Sequence, residues 1–252
     1  MTPERPSDLK IVRECPLWDL GFACPPCPAG KAYGRRGIYS MNKGLLSLAA
    51  ALVALCAGFF LCERKRMSSK EVPLIAVLAA LAALGRIPFA ALPGVQPTTF
   101  IVVISGLVFG PASGFLVGAV AAFVSNMFLG HGPWTIWQMV AWGACGASSG
   151  FLGYAIPKGG VWPLGIFAFL WGYLFGGVMN LWYWYSFVYP LTLRTWLAVS
   201  AASLPMDTLH AAGNAVFALV LGNGSLSALR YFKKRLELSS ITDYNYQWKT
   251  RR

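Results

Sequence analysis

Asp207, His210 and Asn214 are spaced three and four residues apart, so on a helix they share one face. An acid and an imidazole on one face inside an apolar segment have three uses. They can hydrogen-bond to neighbouring helices, touch a ligand directly, or act as a proton relay or catalytic pair. Pro205 lies just before them and can kink the helix, freeing backbone carbonyls. A second group stands in "FLGHGPWTIWQMVAWG", from Phe128 to Gly143. It gathers His131, Trp134, Trp137, Gln138 and Trp142 at a Gly-Pro turn that opens a helix. Such indoles can form an aromatic belt where lipid meets water. They can equally line the mouth of a site for a sizeable, mostly uncharged ligand with a flat part, offering ring faces and single N–H donors.

Other chemistries have less support. There is no HExxH, no P-loop lysine motif and no GxGxxG in the right context. Neither Ser125 nor Cys145 stands in a nucleophile turn. Two histidines and one intramembrane acid make a poor metal set. Cys24 and Cys27 have CxxC spacing, but even with Cys15 they fall short of a four-ligand zinc site. The remaining enzymatic alternative is a membrane enzyme that uses Asp207 and His210 on a lipid-like substrate.

The elements that must position these residues are membrane helices. The chain is 56% hydrophobic and 12% charged, against about 25% charged in a soluble domain. Between 72 and 222 the only basic residues are Arg86, Lys158 and Arg194, and the only acid is Asp207. The net charge of +12 therefore resides in the flanks, which suits lipid headgroups and the positive-inside rule and not nucleic acid. Apolar runs at 44–62, 72–92, 97–109, 111–129, 134–156, 161–185 and 196–222 predict an all-α membrane protein. The run 97–109 rises only about 20 Å, less than the ~30 Å hydrocarbon core, so it must tilt, extend into the preceding loop or be sheltered by neighbours.

The organisation expected is an extension over 1–40, an extra membrane helix and basic linker over 41–66, a six-helix domain over 67–228 and a basic cytoplasmic tail over 229–252. Met41 followed by a lysine and an apolar run reads like a natural start, or else 1–40 is a disordered extension. Basic residues in the linker and the tail put both ends of the six-helix domain in the cytosol, in a multi-pass plasma-membrane protein. The outer half then carries Gln96, Thr98 and Thr99, Ser125 and Asn126, His131, Trp134, Trp137 and Gln138, Asn180, and Asp207 with His210. Small residues form a separate pattern. Ala76, Ala80 and Ala83, with Ala79 beside them, line the first helix of the six, and Gly114, Gly118, Gly143 and Gly146 recur later. Close helix packing explains most of them, and the alanine stripe could also be a docking face.

The run "ALGRIPFAALPGVQPTTFIVVISGLVFGPASGFLVGAVAAFVSNMFLGHGPWTIWQMVAWG", followed by "VMNLW" and "LPMDTLHAAGN", resembles the substrate-binding S components of energy-coupling factor (ECF) vitamin transporters. The resemblance covers roughly 70–225, and "GPWTIWQM" is similar to the subgroup linked to cobalamin. It implies a six-helix bundle without ATPase activity that binds a vitamin at the outer face. Delivery would then need a transmembrane T component and two ABC-type ATPases. It also implies no cofactor, and docking through Ala76, Ala79, Ala80 and Ala83.

Overall fold

The computed structural model describes the backbone of residues 31–63, 71–92, 94–156 and 160–250, and side chains only within 45–236. Residues 1–30, with Cys15, Cys24 and Cys27, and the linker 64–70 lie outside the described residues. The described residues form seven helices and no strand: α1 (Lys31–Glu63), α2 (Glu71–Arg86), α3 (Thr98–Phe109), α4 (Pro111–Leu129), α5 (Trp134–Ala155), α6 (Val161–Phe187) and α7 (Leu193–Thr250). Three of them, α4, α6 and the Leu193–Leu236 part of α7, are long and apolar enough to cross a membrane.

Several boundaries differ from the apolar runs. The helix expected over 72–92 stops at Arg86, because Pro88 cannot continue the hydrogen-bond ladder. Tight turns follow, with Ile87 N–H bonded to the Leu84 carbonyl and Ala90 N–H to that of Ile87. At the other extreme α7 continues far beyond 222, passing Pro205 without ending there. The first helix begins at Lys31, ahead of the expected 44.

The short α3 is sheltered by its neighbours. It packs against α2, α4, α5, α6 and α7, and ten of its 12 residues are buried. Its core residues Val102 and Val103 are fully enclosed, as are Val117 of α4, Trp142 of α5 and Leu164 of α6. Between α3 and α4 the chain reverses at Gly110, whose φ of 94° lies where residues with a side chain are strained. Pro111 then opens α4 at a first-turn position that needs no N–H. The α4–α5 contact is made by glycine: a Cβ on Gly114 or Gly146 would run into the other's backbone oxygen. This is the close small-residue packing that helices use in lipid. Outward surfaces carry Val77 and Leu81 on α2, Ile166 and Leu174 on α6, and Val216 and Val220 on α7, all exposed. Large apolar side chains on so many outer faces suit a lipid surround.

Candidate ligand-binding site

The alternating direction of the helices brings six ends together. The C-terminus of α2, the start of α3, the end of α4, the start of α5, the end of α6 and the first half of α7 meet at one end of the bundle. The centre of the polar groups there is Arg86, the last residue of α2. Its Nε donates to Gln96 Oε1 at 2.9 Å, and its Nη1 donates to Ser125 Oγ and Asn126 Oδ1, each at 2.8 Å. The guanidinium lies 4.9 Å from the ring centre of Trp142, within cation–π range.

The network extends in two directions. Asn126, 1% exposed, uses its amide N–H groups on Thr135 Oγ1 at 3.0 Å and Gln138 Oε1 at 2.8 Å. Trp142 donates through Nε1 to Thr99 Oγ1 at 3.0 Å, and Thr99 shares a 2.9 Å hydrogen bond with His210 Nε2. Phe175 packs against both rings, its centroid 4.5 Å from Trp142 and 5.1 Å from His210. Polar side chains from α2 to α5 and α7 are thus tied into one constellation around a cation and an indole.

Asp207 belongs to a second cluster. Its Oδ2 accepts from Ser203 at 2.7 Å and from Asn180 at 3.3 Å, and Asn180 also donates to Ser203 at 2.6 Å. Its carboxylate packs on Gly176, which has no side chain to displace it. Among the described residues no hydrogen bond joins Asp207 to His210 or to the Arg86 network. The shared face of Asp207, His210 and Asn214 is spent on contacts to other helices: α6 for Asp207, α3 for His210, and the Ala168 carbonyl of α6, at 3.3 Å, for Asn214. An Asp–His relay would need the two side chains to meet, and here they point to different partners.

The other expected residues have varied places. Thr98 is buried and donates to the Ala82 carbonyl at 2.9 Å, so it seals α3 to α2 and stays out of the network. His131 is exposed, at 3.3 Å from the Thr135 hydroxyl, with its ring against Phe123. Trp134, also at the rim, pairs edge-on with Trp182 at 6.4 Å, as an aromatic belt would. Trp137 is half-buried, and its Nε1 is a buried donor with no protein acceptor. Of the four alanines, Ala76 and Ala80 are exposed. Ala79 and Ala83 are each 1% exposed and face the bundle interior, so the expected stripe divides between two sides of α2.

Arg86, Thr135 and Phe175 complete the constellation although none was among the residues expected there, and Ser125 joins it from the expected outer half. Arg86 had a legible signal: it is the one cation of the expected outer half that stands inside an apolar run. The role of Trp142 is testable. Trp142→Phe keeps a ring beside Arg86 but removes the donor to Thr99. It is expected to cost about 1 kcal/mol of stability, read as a lower unfolding temperature in detergent.

The curated relatives point to one group of proteins. The chain is similar to a UPF0397 protein of Vibrio atlanticus (strain LGP32), 31% identical over 102 residues, or 38% of this chain and 50% of the relative. It is also similar to UPF0397 proteins of Aliivibrio fischeri (strain MJ11), 32% identical over 78 residues, and Aliivibrio salmonicida (strain LFI1238), 33% identical over 76 residues. Those two matches cover 29% and 28% of this chain and 43% and 42% of the relatives. The chain thus spans half or less of the length of the curated relatives it matches. No solved structure matches it. The family described as "ECF transporter, substrate-specific component" matches residues 70–222, more than half of the sequence. These residues contain α2 to α6 and the part of α7 that carries His210, and the chain belongs to the family of ECF transporter substrate-specific components.

Proposed function

We propose that this chain is the capture subunit of an ECF-type importer, binding a vitamin-sized ligand at the outer end of a six-helix bundle joined to one extra helix. The observation that carries the proposal is the convergence of Arg86, Gln96, Asn126, Gln138, Trp142 and His210, from four helices and the α2–α3 turn, at one end of the bundle. Polar groups in lipid cost several kcal/mol when unsatisfied, and their concentration at one end, with a cation at the centre, is what a capture site there would need. Family membership fits capture without an ATPase of its own. The basic flanks of the bundle orient this end outward. Cobalamin is the first vitamin to test, and the indoles Trp134 and Trp137 near the rim suit a ligand with a planar part.

Energy would come from a T component and two ABC-type ATPases. Ala76 and Ala80 lie one turn apart on the exposed side of α2 and would let a partner helix approach closely. Ala80→Trp is expected to reduce recovery of the assembled transporter on the order of tenfold while leaving ligand affinity unchanged. Pull-down and calorimetry of the same variant check both halves. The decisive test of the class is reconstitution. The chain alone in liposomes should bind vitamin but accumulate none, and adding the T component and ATPases should give ATP-dependent uptake. Uptake by the chain alone would identify a self-sufficient carrier instead. Turnover of a lipid-like substrate that Asp207→Asn abolishes would identify an enzyme.

A further inference from the structure

We infer that the ligand carries an anionic oxygen group, a carboxylate or a phosphate, and that Arg86 is the residue that selects it. The inference rests on the capture reading and deepens it. Arg86 is half-buried and charged, yet every protein acceptor it meets is neutral: an amide oxygen of Gln96, a hydroxyl of Ser125 and an amide oxygen of Asn126. Among the described residues no carboxylate lies within ion-pair distance of it. The one acid between 72 and 222, Asp207, is engaged with Ser203 and Asn180.

A guanidinium has five N–H donors in a planar fork. The contacts described use Nε and Nη1, and Nη2 has no acceptor among the described residues. The C-terminal dipole of α2 offsets only about half a charge, and the Trp142 face is a weak substitute for an anion. A purely structural clamp between α2, the α2–α3 turn and α4 would need donors but no charge, because all of its acceptors are neutral. Among the described residues that charge is unmatched, and an anionic ligand at the unused Nη2 edge of the fork would match it with strong charge-assisted hydrogen bonds.

The test measures thermal stabilisation and calorimetric binding of the full chain in neutral detergent. The probes are matched pairs, biotin and biotinamide, pantothenate and panthenol, nicotinate and nicotinamide, cobalamin and cobinamide, with thiamine as a cation. The expected result is that an anionic member binds at least tenfold more tightly than its partner, and that Arg86→Gln removes this preference. Arg86→Lys should keep part of it. Asn126→Asp supplies a fixed carboxylate against Arg86. The carboxylate cannot replace the amide N–H bonds to Thr135 and Gln138, so charge preference and not unfolding temperature is the readout: the preference for an anionic member should vanish, whereas a structural clamp predicts no change in it. Tight binding of a neutral member or of thiamine, indifferent to Arg86→Gln, overturns the inference and leaves the capture reading standing. Failure of every probe defeats the capture reading and the inference together. Adding phosphatidylglycerol separates a lipid headgroup from a soluble ligand. If the lipid alone protects Arg86 and no soluble anion binds in its absence, the inference is overturned.

Discussion

Gly146→Val is expected to lower the stability of the chain by about 3 kcal/mol. Gly106 of α3, Gly114 of α4 and Gly146 of α5 meet where three helices touch through their backbones. A Cβ on Gly146 would meet the Gly114 carbonyl group, and a Cβ on Gly106 or Gly114 would meet the Gly146 oxygen. These obstacles are backbone atoms and cannot swing away as a side-chain tip can. The helices must separate, and with them the ends that hold Asn126 and Gln138 together. Gly177 of α6 is the control, since it is exposed and a Cβ there would have no neighbour within 4 Å. Gly177→Ala should leave stability unchanged or raise it slightly, because alanine is the better helix former. The fraction of detergent-solubilised protein that stays monodisperse after heating separates the two variants.

Asn126→Leu is expected to weaken ligand binding roughly a hundredfold, equivalent to about 2.7 kcal/mol. Leucine has the same number of heavy atoms and the same branching at Cγ, so it disturbs the packing between α4 and α5 less than a truncation would. The hydrogen bonds do not. Arg86 loses one acceptor, and Thr135 and Gln138 each lose the donor that orients them. Each stranded buried group costs on the order of 1–3 kcal/mol, and relaxation toward solvent recovers part of that. The loss should appear in ligand affinity more than in the unfolding temperature, because the affected groups line the polar end and not the apolar core. Calorimetry on the variant, beside its unfolding curve, measures both.

Much of the architecture is visible in the sequence because Gly and Pro punctuate it. The runs 111–129 and 134–156 coincide with α4 and α5 to within a residue. Gly110-Pro111 and Gly132-Pro133 set their starts through backbone rules that do not depend on context. Half of the polar network is equally visible. Gln96, Asn126, Gln138 and His210 stand out as polar residues in apolar runs, and the structure puts all four in one set of hydrogen bonds.

What was hidden depends on direction. Arg86 sits inside a run read as continuous to 92, and its central position appears only once α2 ends there and the turn carries Gln96 back beside it. His131 looked central because of its company, but its ring turns to Phe123 at the rim. The alanine stripe failed to resolve for a related reason. Helix α2 is apolar all round, so periodicity cannot say which side faces the bundle. Only packing assigns Ala79 and Ala83 to the inside and Ala76 and Ala80 to the outside.

The central claim is that the Arg86 network is an outward-facing ligand site. Its most direct test is the reactivity of a single cysteine placed at Gln96, in a chain whose own cysteines are replaced, toward a membrane-impermeant maleimide added to intact cells. The account predicts labelling from the outside, slowed severalfold by a saturating amount of the vitamin that binds the chain. Labelling only from the cytoplasmic side, or a rate indifferent to that vitamin, would contradict it.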